Sequence, residues 1–339
     1  MTRRVVWGLL FGLALVAGLA PLPPGAIERW YSAGFFPPLQ RALTSISNLV
    51  PLSLFDVLWI GAVAMTVVIA RRRIITHGWL RGAARLAIDL AKAAVVVYLL
   101  FLLAWGLNYR RVPIFEKVAF DASRITPQAH LALGEWAVRE LNAQYAAAHA
   151  GPLAIEPLRP AFDSALAALG GRPIVHGRPK DTLLGWYFHK AAIAGMTDPF
   201  LLETMLAPDL LDVERPFVIA HEWAHLAGYA DESEANFVAW MACRRGNAAA
   251  RYSAALMTLG YAQGGRALRD SLDIGPKIDL VAIQLRYRRT SGVLRFAARE
   301  SYDKYLKANR VEKGVESYDA VVQLILGIEF DPTGNPRLR

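Results

Sequence analysis

Residues 221–236 read HEWAHLAGYADESEAN, and this stretch decides how the rest of the chain is interpreted. His221 and His225 are four residues apart, which places them one turn apart on the same face of a helix. Such a pair can bind a Zn²⁺ ion, and the intervening Glu222 can act as the base for a metal-activated water. The stretch therefore predicts a metal-dependent hydrolase.

The residues around the motif predict a buried helix. Pro216 suits the first turn of a helix, and Gly228 suits the left-handed residue that follows the last turn. Between these two positions the chain is apolar on nearly every side except at the motif itself, His221, Glu222 and His225. Buried ionisable side chains must be paired, neutralised or metal-bound, so a single cation would satisfy all three.

A zinc site needs a third protein ligand, and three acids follow the second histidine closely. Asp231 is expected to be the N-cap of the next helix, with Glu234 reaching back to complete a capping box. Glu232 then remains in the first turn beside His225, and it is the predicted third ligand. Glu234 ranks second and Asp231 third. Asn236, one turn after Glu232, could hydrogen-bond a ligating histidine.

An oxyanion stabiliser is expected across the cleft from a metal-activated water. The candidates are Tyr187, His189, Tyr229 and Tyr318. Each of them has an ordinary structural alternative, and the sequence does not choose among them. Cys243, the only cysteine, lies in an apolar helical run, which predicts a small buried side chain and not a nucleophile.

The chain is too apolar for an ordinary soluble protein. It has 339 residues, of which 54% are hydrophobic and 20% charged, and its mean hydropathy is +0.26. Three apolar segments, at about 5–22, 52–70 and 86–107, are close to the roughly 20 residues needed to cross a bilayer. We therefore predict a membrane domain over residues 1–111 that contains three transmembrane helices, the first of them an uncleaved anchor.

The charge distribution predicts the topology and argues against a nucleic-acid partner. The formal net charge is +9, but residues 1–111 contain 12 Lys/Arg and 3 Asp/Glu, whereas residues 112–339 contain 26 of each. The excess is confined to the membrane part. Arginines cluster in the loop after the second segment, at Arg71, Arg72, Arg73, Arg81 and Arg85. This loop and the N-terminus are expected in the cytoplasm, and residues 112–339 outside it.

Residues 112–339 predict one mainly helical domain with a small β-sheet, so the fold class is mainly α (α+β). The sheet is expected within residues 172–205, which are rich in Gly, Pro and β-formers, with Leu183 to Met196 as its longest stretch. The tail after Asp331 is expected to be loose. Outside the motif, Glu203 is interpreted as a solvated carboxylate, His176 as a surface or turn histidine, and Asp89 and Lys92 as a helical ion pair.

The order Glu232-x-x-x-Asn236 after the histidine motif resembles the gluzincin metallopeptidases. Their third ligand is a glutamate on the following helix, supported by an Asp or Asn four residues later. A wider resemblance, to the DUF3810 family of bacterial membrane proteins, spans most of the chain. The matching pieces are Tyr31-Ser32, Pro51 to Asp56, Trp105 to Arg110, Gly195 to Glu203, His221 to Phe237, Tyr305 to Lys307 and Ser317-Tyr318. This resemblance implies a zincin-like zinc metallopeptidase after three hydrophobic segments.

The sequence thus predicts a membrane-anchored zinc metallopeptidase of the bacterial inner membrane, acting on a peptide or protein. His221, His225 and Glu232 would bind Zn²⁺, and Glu222 would be the general base. The alternative is a non-catalytic sensor or scaffold with a structural zinc site. A fourth protein ligand would favour the structural role, and an open fourth position would favour catalysis.

Overall fold

The computed structural model describes residues 3–262, 265–311 and 320–339, which are mainly helical with one small sheet, as predicted. The α-helices are α1 (Arg3–Leu19), α2 (Pro24–Ala26), α3 (Phe36–Leu49), α4 (Leu54–His77), α5 (Trp79–Ala104), α6 (Ile114–Lys117), α7 (Pro127–Ala148), α8 (Leu158–Ala168), α9 (Gly185–Ala191), α10 (Arg215–Leu226), α11 (Glu232–Arg245), α12 (Ala248–Tyr261), α13 (Gly265–Asp270), α14 (Ile274–Arg288), α15 (Gly292–Ala308) and α16 (Val321–Gly327). A π-helical stretch, Ile27–Phe35, connects α2 to α3, and short 3₁₀ turns lie at Gly106–Arg110 and Ala122–Arg124.

Two of the three predicted membrane segments form helices that are long and apolar enough to cross a bilayer. These are α4, with 24 residues, and α5, with 26 residues. The first segment is different, because α1 ends at Leu19, ahead of a stretch with prolines at positions 21, 23 and 24. It meets the same length requirement only together with Pro24–Leu49, to which it is bent by 112°.

The arginine-rich segment between α4 and α5 is helical almost throughout, so the prediction of a loop there was wrong. The two helices are separated only by Gly78, whose φ of +74° lies in the left-handed region that favours glycine. The predicted pair between Asp89 and Lys92 is not formed. Asp89 instead pairs with Arg73 at 2.6 Å, and Lys92 lies over the ring of Trp7.

The sheet has three short strands, β1 (Pro179–Lys180), β2 (Gly195–Thr197) and β3 (Thr204–Leu206). Their spatial order is β1-β3-β2, with β3 parallel to β1 and antiparallel to β2. Except for Leu206, the sheet lies within the predicted range, but the segment from Leu183 to Met196 is not one strand. Helix α9 occupies its middle, because Phe188 and Ala191 are buried at helical spacing.

Helix α11 lies at the centre of the domain. Each of its residues from Glu232 to Cys243 is buried, and α8, α10, α12 and α16 pack around it. Cys243 is a small buried side chain, as predicted. Because α11 is enclosed on all sides, the acidic residues of its first turn are removed from water along with its apolar ones.

The C-terminal tail is bound to the rest of the domain, so the expectation of a loose tail was wrong. The N–H of Ala119 donates to the carbonyl of Arg337 at 2.7 Å, and Arg337 N–H donates to Glu329 at 2.9 Å. Arg245 also reaches the tail, with a 2.9 Å hydrogen bond to the Asn335 side chain. These partners are far away in sequence, which is why local composition did not reveal them.

Candidate metal centre

The turn after α10 directs the chain back towards the motif. The helix has Pro216 in its first turn and ends at Leu226, as predicted. Gly228 has a φ of +83°, and its N–H donates to the carbonyl of His225 at 2.9 Å. A Cβ at Gly228 would lie 3.0 Å from the side-chain oxygen of Asn108, so close packing also favours glycine there.

Asp231 caps α11, as predicted, and this cap positions the next residue. Its carboxylate accepts from the N–H groups of Ser233 and Glu234, at 2.9 and 3.2 Å. Glu232 is consequently the first residue of α11 and lies beside the two histidines of α10. A single short turn therefore brings together side chains from two consecutive helices.

His221, His225 and Glu232 form a compact group that could hold a metal ion. The Nε2 atoms of the two histidines are 3.1 Å apart. Glu232 Oε2 is 3.2 Å from Nε2 of His221 and 3.6 Å from Nε2 of His225. Tetrahedral zinc ligands at about 2.1 Å from the ion are about 3.4 Å from one another, so the three observed separations fit that geometry.

The donor atoms of the group are of types that bind a cation. Glu232 Oε2 is buried and accepts no hydrogen bond from the residues that the structure describes. Two imidazole nitrogens face this carboxylate oxygen, and histidine nitrogen with carboxylate oxygen is a donor set that zinc prefers. A buried oxygen without a donor is costly, and one ion in the middle of the group would satisfy all three atoms.

The charges in this group are strongly coupled. Burial alone would lower the pKa of His225, but the Glu232 carboxylate raises it to about 9. Burial alone would raise the pKa of Glu232, but the imidazoles of His225 and His221 hold it below its ordinary value. The carboxylate is therefore ionised at neutral pH, and a cation bound here would displace the proton that it holds on His225.

Hydrogen bonds with residues outside the group orient the candidate ligands. Nδ1 of His225 lies 2.7 Å from the carbonyl of Tyr229, which directs Nε2 towards Glu232. The hydroxyl of Tyr302, on α15, donates to the other oxygen of Glu232. The indole N–H of Trp105 donates to the carbonyl of His225 at 3.1 Å.

Glu222 lies on α10 between the histidines and is 3% exposed, which is too little for an ordinary solvated carboxylate. The hydroxyl of Thr197, on β2, donates to its Oε2 at 2.8 Å. A Cβ at Gly195 would lie 2.6 Å from its Oε1, so the bare backbone of β2 packs against the carboxylate. Burial raises the pKa of Glu222, while the imidazoles of His221 and His225 oppose the shift. A carboxylate with a raised pKa is suited to exchanging protons near neutral pH.

The other two acids of the motif are occupied elsewhere. Asp231 is engaged in the helix cap, as described above. Glu234 does not complete the predicted capping box, because its carboxylate accepts from the N–H of Ile114 at 2.5 Å. Burial and the charge of Asp231 raise the pKa of Glu234 to about 7. Of the three acids, only Glu232 joins the histidines.

The expected support from Asn236 is not formed. Its side-chain N–H₂ group is buried and finds no acceptor among the described residues, and Nδ1 of His221 is likewise without a partner there. Both polar groups lie close to the candidate centre. The histidine tautomer is therefore fixed directly at His225 but not at His221.

The side chains of the three described candidates for the oxyanion stabiliser make their contacts outside the cluster. The ring of Tyr229 is buried beneath the guanidinium of Arg111, at 4.4 Å. Nδ1 of His189 is 2.5 Å from Asp209, and Tyr187 packs against the separate apolar cluster around Met205. Tyr318 lies outside the described residues.

Two other expectations were wrong. Glu203 is 1% exposed and forms an ion pair with the buried Lys180, so it is not solvated. His176 is not a surface residue, because its ring packs against Trp223 with centroids 4.6 Å apart. Its Nε2 lies 3.1 Å from the carboxylate of Asp163. The partners that stabilise these buried side chains, Lys180 for Glu203 and Trp223 for His176, are distant in sequence.

Sequence reasoning did not identify Thr197, Tyr302 and Trp105 as neighbours of the cluster. Thr197 and Trp105 lie inside segments that match the family pattern, Gly195 to Glu203 and Trp105 to Arg110, which was the available indication. Tyr302 precedes the matched Tyr305 by three residues, and the two rings stack at 5.7 Å. No spacing rule predicts that a tyrosine 70 positions away bonds to Glu232.

The family model that matches the chain is DUF3810, described as a protein of unknown function, and it covers residues 31–326. This chain belongs to the DUF3810 family. The matched range includes α4, α5 and the whole of the candidate centre. No curated protein and no solved structure matches the chain.

Proposed function

We propose that this DUF3810 protein is a membrane-anchored zinc metallopeptidase. The observation that carries the proposal is the triangle of His221 Nε2, His225 Nε2 and Glu232 Oε2, with sides of 3.1, 3.2 and 3.6 Å. Its fit to a tetrahedral ion, together with an unsatisfied buried carboxylate oxygen, supports zinc as the ligand. A zinc ion held there would polarise a peptide carbonyl and make a water molecule more acidic.

Glu222 is assigned the proton transfers. Its carboxylate lies on the same helix as both histidines but is not a member of the ligand group. It would accept a proton from the attacking water and donate that proton to the leaving amine, which requires a pKa closer to neutrality than that of an exposed glutamate. The hydroxyl of Thr197 holds Oε2 of this carboxylate, and Oε1 lies against the backbone of Gly195.

The number of ligands favours catalysis over a structural zinc site. The group of metal-ligating side chains found among the described residues has three members. Structural zinc sites are normally closed by four protein ligands, whereas catalytic sites keep one position for water or substrate. The sensor or scaffold alternative would need a fourth ligand.

The proposal extends to the architecture. The N-terminal apolar segment, α4 and α5 are assigned as three membrane spans, followed by a zincin-like domain over residues 112–339. The arginines around Gly78 are assigned to the cytoplasmic side, which puts the domain outside the cytoplasm of a bacterial inner membrane. Arg111 does not oppose this orientation, since its charge is paired with Glu28 at 2.9 Å.

A direct test uses the purified full-length protein in detergent with a library of degenerate fluorogenic peptides. The zinc-loaded protein is expected to hydrolyse a subset of the peptides, and Glu222→Gln is expected to retain zinc and to lose hydrolysis. Equal hydrolysis by Glu222→Gln would refute its role as the base. A protein that takes up no zinc would refute the metal site.

A further inference from the structure

The candidate centre is attached directly to the end of a helix that could cross a membrane. Trp105 is the first residue after α5, and its indole N–H donates to the carbonyl of His225 at 3.1 Å. The two rings also meet nearly at right angles, with centroids 6.0 Å apart. No linker therefore separates a predicted metal ligand from α5.

The start of α4 is connected to the centre through the sheet. The carboxylate of Glu203, directly before β3, accepts from the N–H groups of Leu54 and Phe55 at 3.1 and 2.8 Å. Asp56, in the first turn of α4, accepts from the N–H of Leu183 at 2.8 Å. Strand β3 pairs with β2, and β2 carries the threonine that bonds to Glu222. The centre is thus fastened to both helices.

Helix length and charge place the edge of the bilayer at this same level. A hydrocarbon core of about 30 Å corresponds to about 20 helical residues. The 17 residues between Lys92 and Arg110 are uncharged, and α5 ends within this run, one residue before Trp105. Trp105 therefore falls at the outer boundary, in the zone where tryptophan and tyrosine are enriched. A ligand in contact with Trp105 lies within about 10 Å of the lipid.

Exposed apolar side chains flank the same boundary. Leu183 and Trp186 are 72% and 67% exposed, although both are large and apolar. Leu183 is held beside the first turn of α4 by its hydrogen bond to Asp56. At that level these side chains meet lipid and not bulk water, which accounts for their exposure in the isolated chain.

From these contacts we propose that the substrates of this site are polypeptides anchored in the same membrane, cut within the first few residues outside the bilayer. The inference rests on the proposed peptidase function and adds a substrate class to it. An extended chain covers about 3.4 Å per residue, so about three residues span the distance from the lipid to the cluster. A substrate anchored in the same membrane also has a higher effective concentration at the site than one free in solution.

The test uses the zinc-loaded, full-length protein in proteoliposomes. The probe is a degenerate ten-residue segment attached to a single transmembrane helix through Gly/Ser spacers of about 3, 15 or 40 residues. A second set carries the same segments on a lipid anchor, and a third set is free in solution. Cleavage is measured by mass spectrometry, with Glu222→Gln as the inactive control.

We expect cleavage to be fastest with the shortest spacer and at least about 10-fold faster than that of the free segment. Equal cleavage of both anchored sets would support the inference for any membrane-anchored polypeptide. Cleavage of the helix-anchored set alone would support it with integral membrane proteins as the substrate class. Equally fast cleavage of the free segment, without spacer dependence, overturns the inference and leaves the peptidase function intact. No cleavage of any set overturns both.

A second measurement tests the position of the site without turnover. A nitroxide attached to Trp186→Cys is compared with one on Val63→Cys, an exposed position within α4. The native Cys243 is buried and should not react. We expect oxygen to collide with the label more often than a water-soluble nickel complex does, because oxygen is enriched in lipid. The same preference for oxygen is expected at positions 186 and 63. Preferential access of the nickel complex at position 186 would overturn the interfacial placement.

Discussion

Two buried glutamates, Glu203 and Glu232, have opposite surroundings although both are 1% exposed. Glu203 is paired with the Lys180 ammonium and accepts from the Ser47 hydroxyl at 2.9 Å. It also accepts the first two N–H groups of α4. Glu232 receives one phenolic hydroxyl on Oε1, while Oε2 faces two imidazole nitrogens and accepts no hydrogen bond from the described residues.

We interpret the difference as that between a structural carboxylate and a proposed metal ligand. A buried charge that the chain neutralises itself holds elements together, as Glu203 does between the sheet and α4. A buried charge that faces two imidazole nitrogens can bind a cation, as we propose for Glu232. Exposure alone does not distinguish the two residues, whereas the list of partners does.

The largest expected effect concerns Glu222, which tests whether the centre is catalytic. Glu222→Gln is expected to lower kcat by a factor of about 10²–10⁴, because the amide cannot accept the proton. Zinc content should be unchanged, since Glu222 is outside the ligand group. The exposed Glu156 offers a matched control, and Glu156→Gln should keep full activity. Similar rates for the two variants would remove Glu222 from the mechanism.

The structural side of the comparison is tested at Glu203. Glu203→Gln leaves the buried Lys180 ammonium without its counter-charge, so we expect a loss of about 3–5 kcal/mol in the free energy of unfolding. Zinc content should not change. A Lys180→Met, Glu203→Gln double variant should recover most of the loss, because no charge then remains buried and the glutamine oxygen still accepts from the start of α4. If the single variant is as stable as the wild type, the pair is not a structural one.

At Glu232 we expect the reverse of the result at Glu203, with a change in zinc binding. Glu232→Gln is expected to lower zinc affinity by more than the roughly 10–100-fold that is typical for residues behind a ligand. Glu234→Gln is the matched control, since Glu234 is also buried and only two residues away but bonds to Ile114. Equilibrium dialysis against a zinc buffer measures both. Loss of zinc from Glu234→Gln with retention by Glu232→Gln would exchange their roles.

A smaller effect is expected from Tyr302, which holds the second oxygen of Glu232. Tyr302→Phe should lower zinc affinity by about 10–100-fold, because the ligand loses its orienting hydrogen bond. Tyr305→Phe, on the same helix, should leave the affinity unchanged. An unchanged affinity in Tyr302→Phe, measured by competition with a chromophoric chelator, would show that the phenol does not act through Glu232.

Asp198 adds a third case, a fully buried carboxyl group whose pKa is raised by burial. Burial raises its pKa from 3.8 to about 6, against two N–H groups that favour the ionised form. The folded state therefore binds the proton more tightly, and this stabilisation is lost as pH rises from about 4 to about 6. Over this pH range, the free energy of unfolding of the wild type should fall by about 1–2 kcal/mol relative to that of Asp198→Asn, as measured from melting temperatures. A constant difference would contradict the shift.

The candidate ligands could be predicted from the sequence because the determinants are local. Pro216 and Gly228 mark the two ends of α10, and the cap at Asp231 fixes the start of α11. Those rules place Glu232 beside His225 without knowledge of any distant contact. The mainly helical fold and the apolar helices α4 and α5 follow in the same way from periodicity and segment length.

What the sequence did not reveal depends on partners far along the chain. Glu203 was interpreted as solvated because its partner Lys180 is 23 positions away, and Tyr302 was missed because it is 70 positions from Glu232. The tail was expected to be loose because its hydrogen bonds go to residues near 119. Propensity and spacing describe an element, whereas burial of a polar group is decided by the tertiary contacts that satisfy it.

The most direct test of the account is zinc X-ray absorption on the purified full-length protein, with metal content measured on the same sample. We predict one zinc ion per chain, with scattering from two imidazoles and the remaining ligands being oxygen at about 2.0–2.2 Å. A zinc content far below one per chain, or a metal shell without imidazole scattering, would contradict the account.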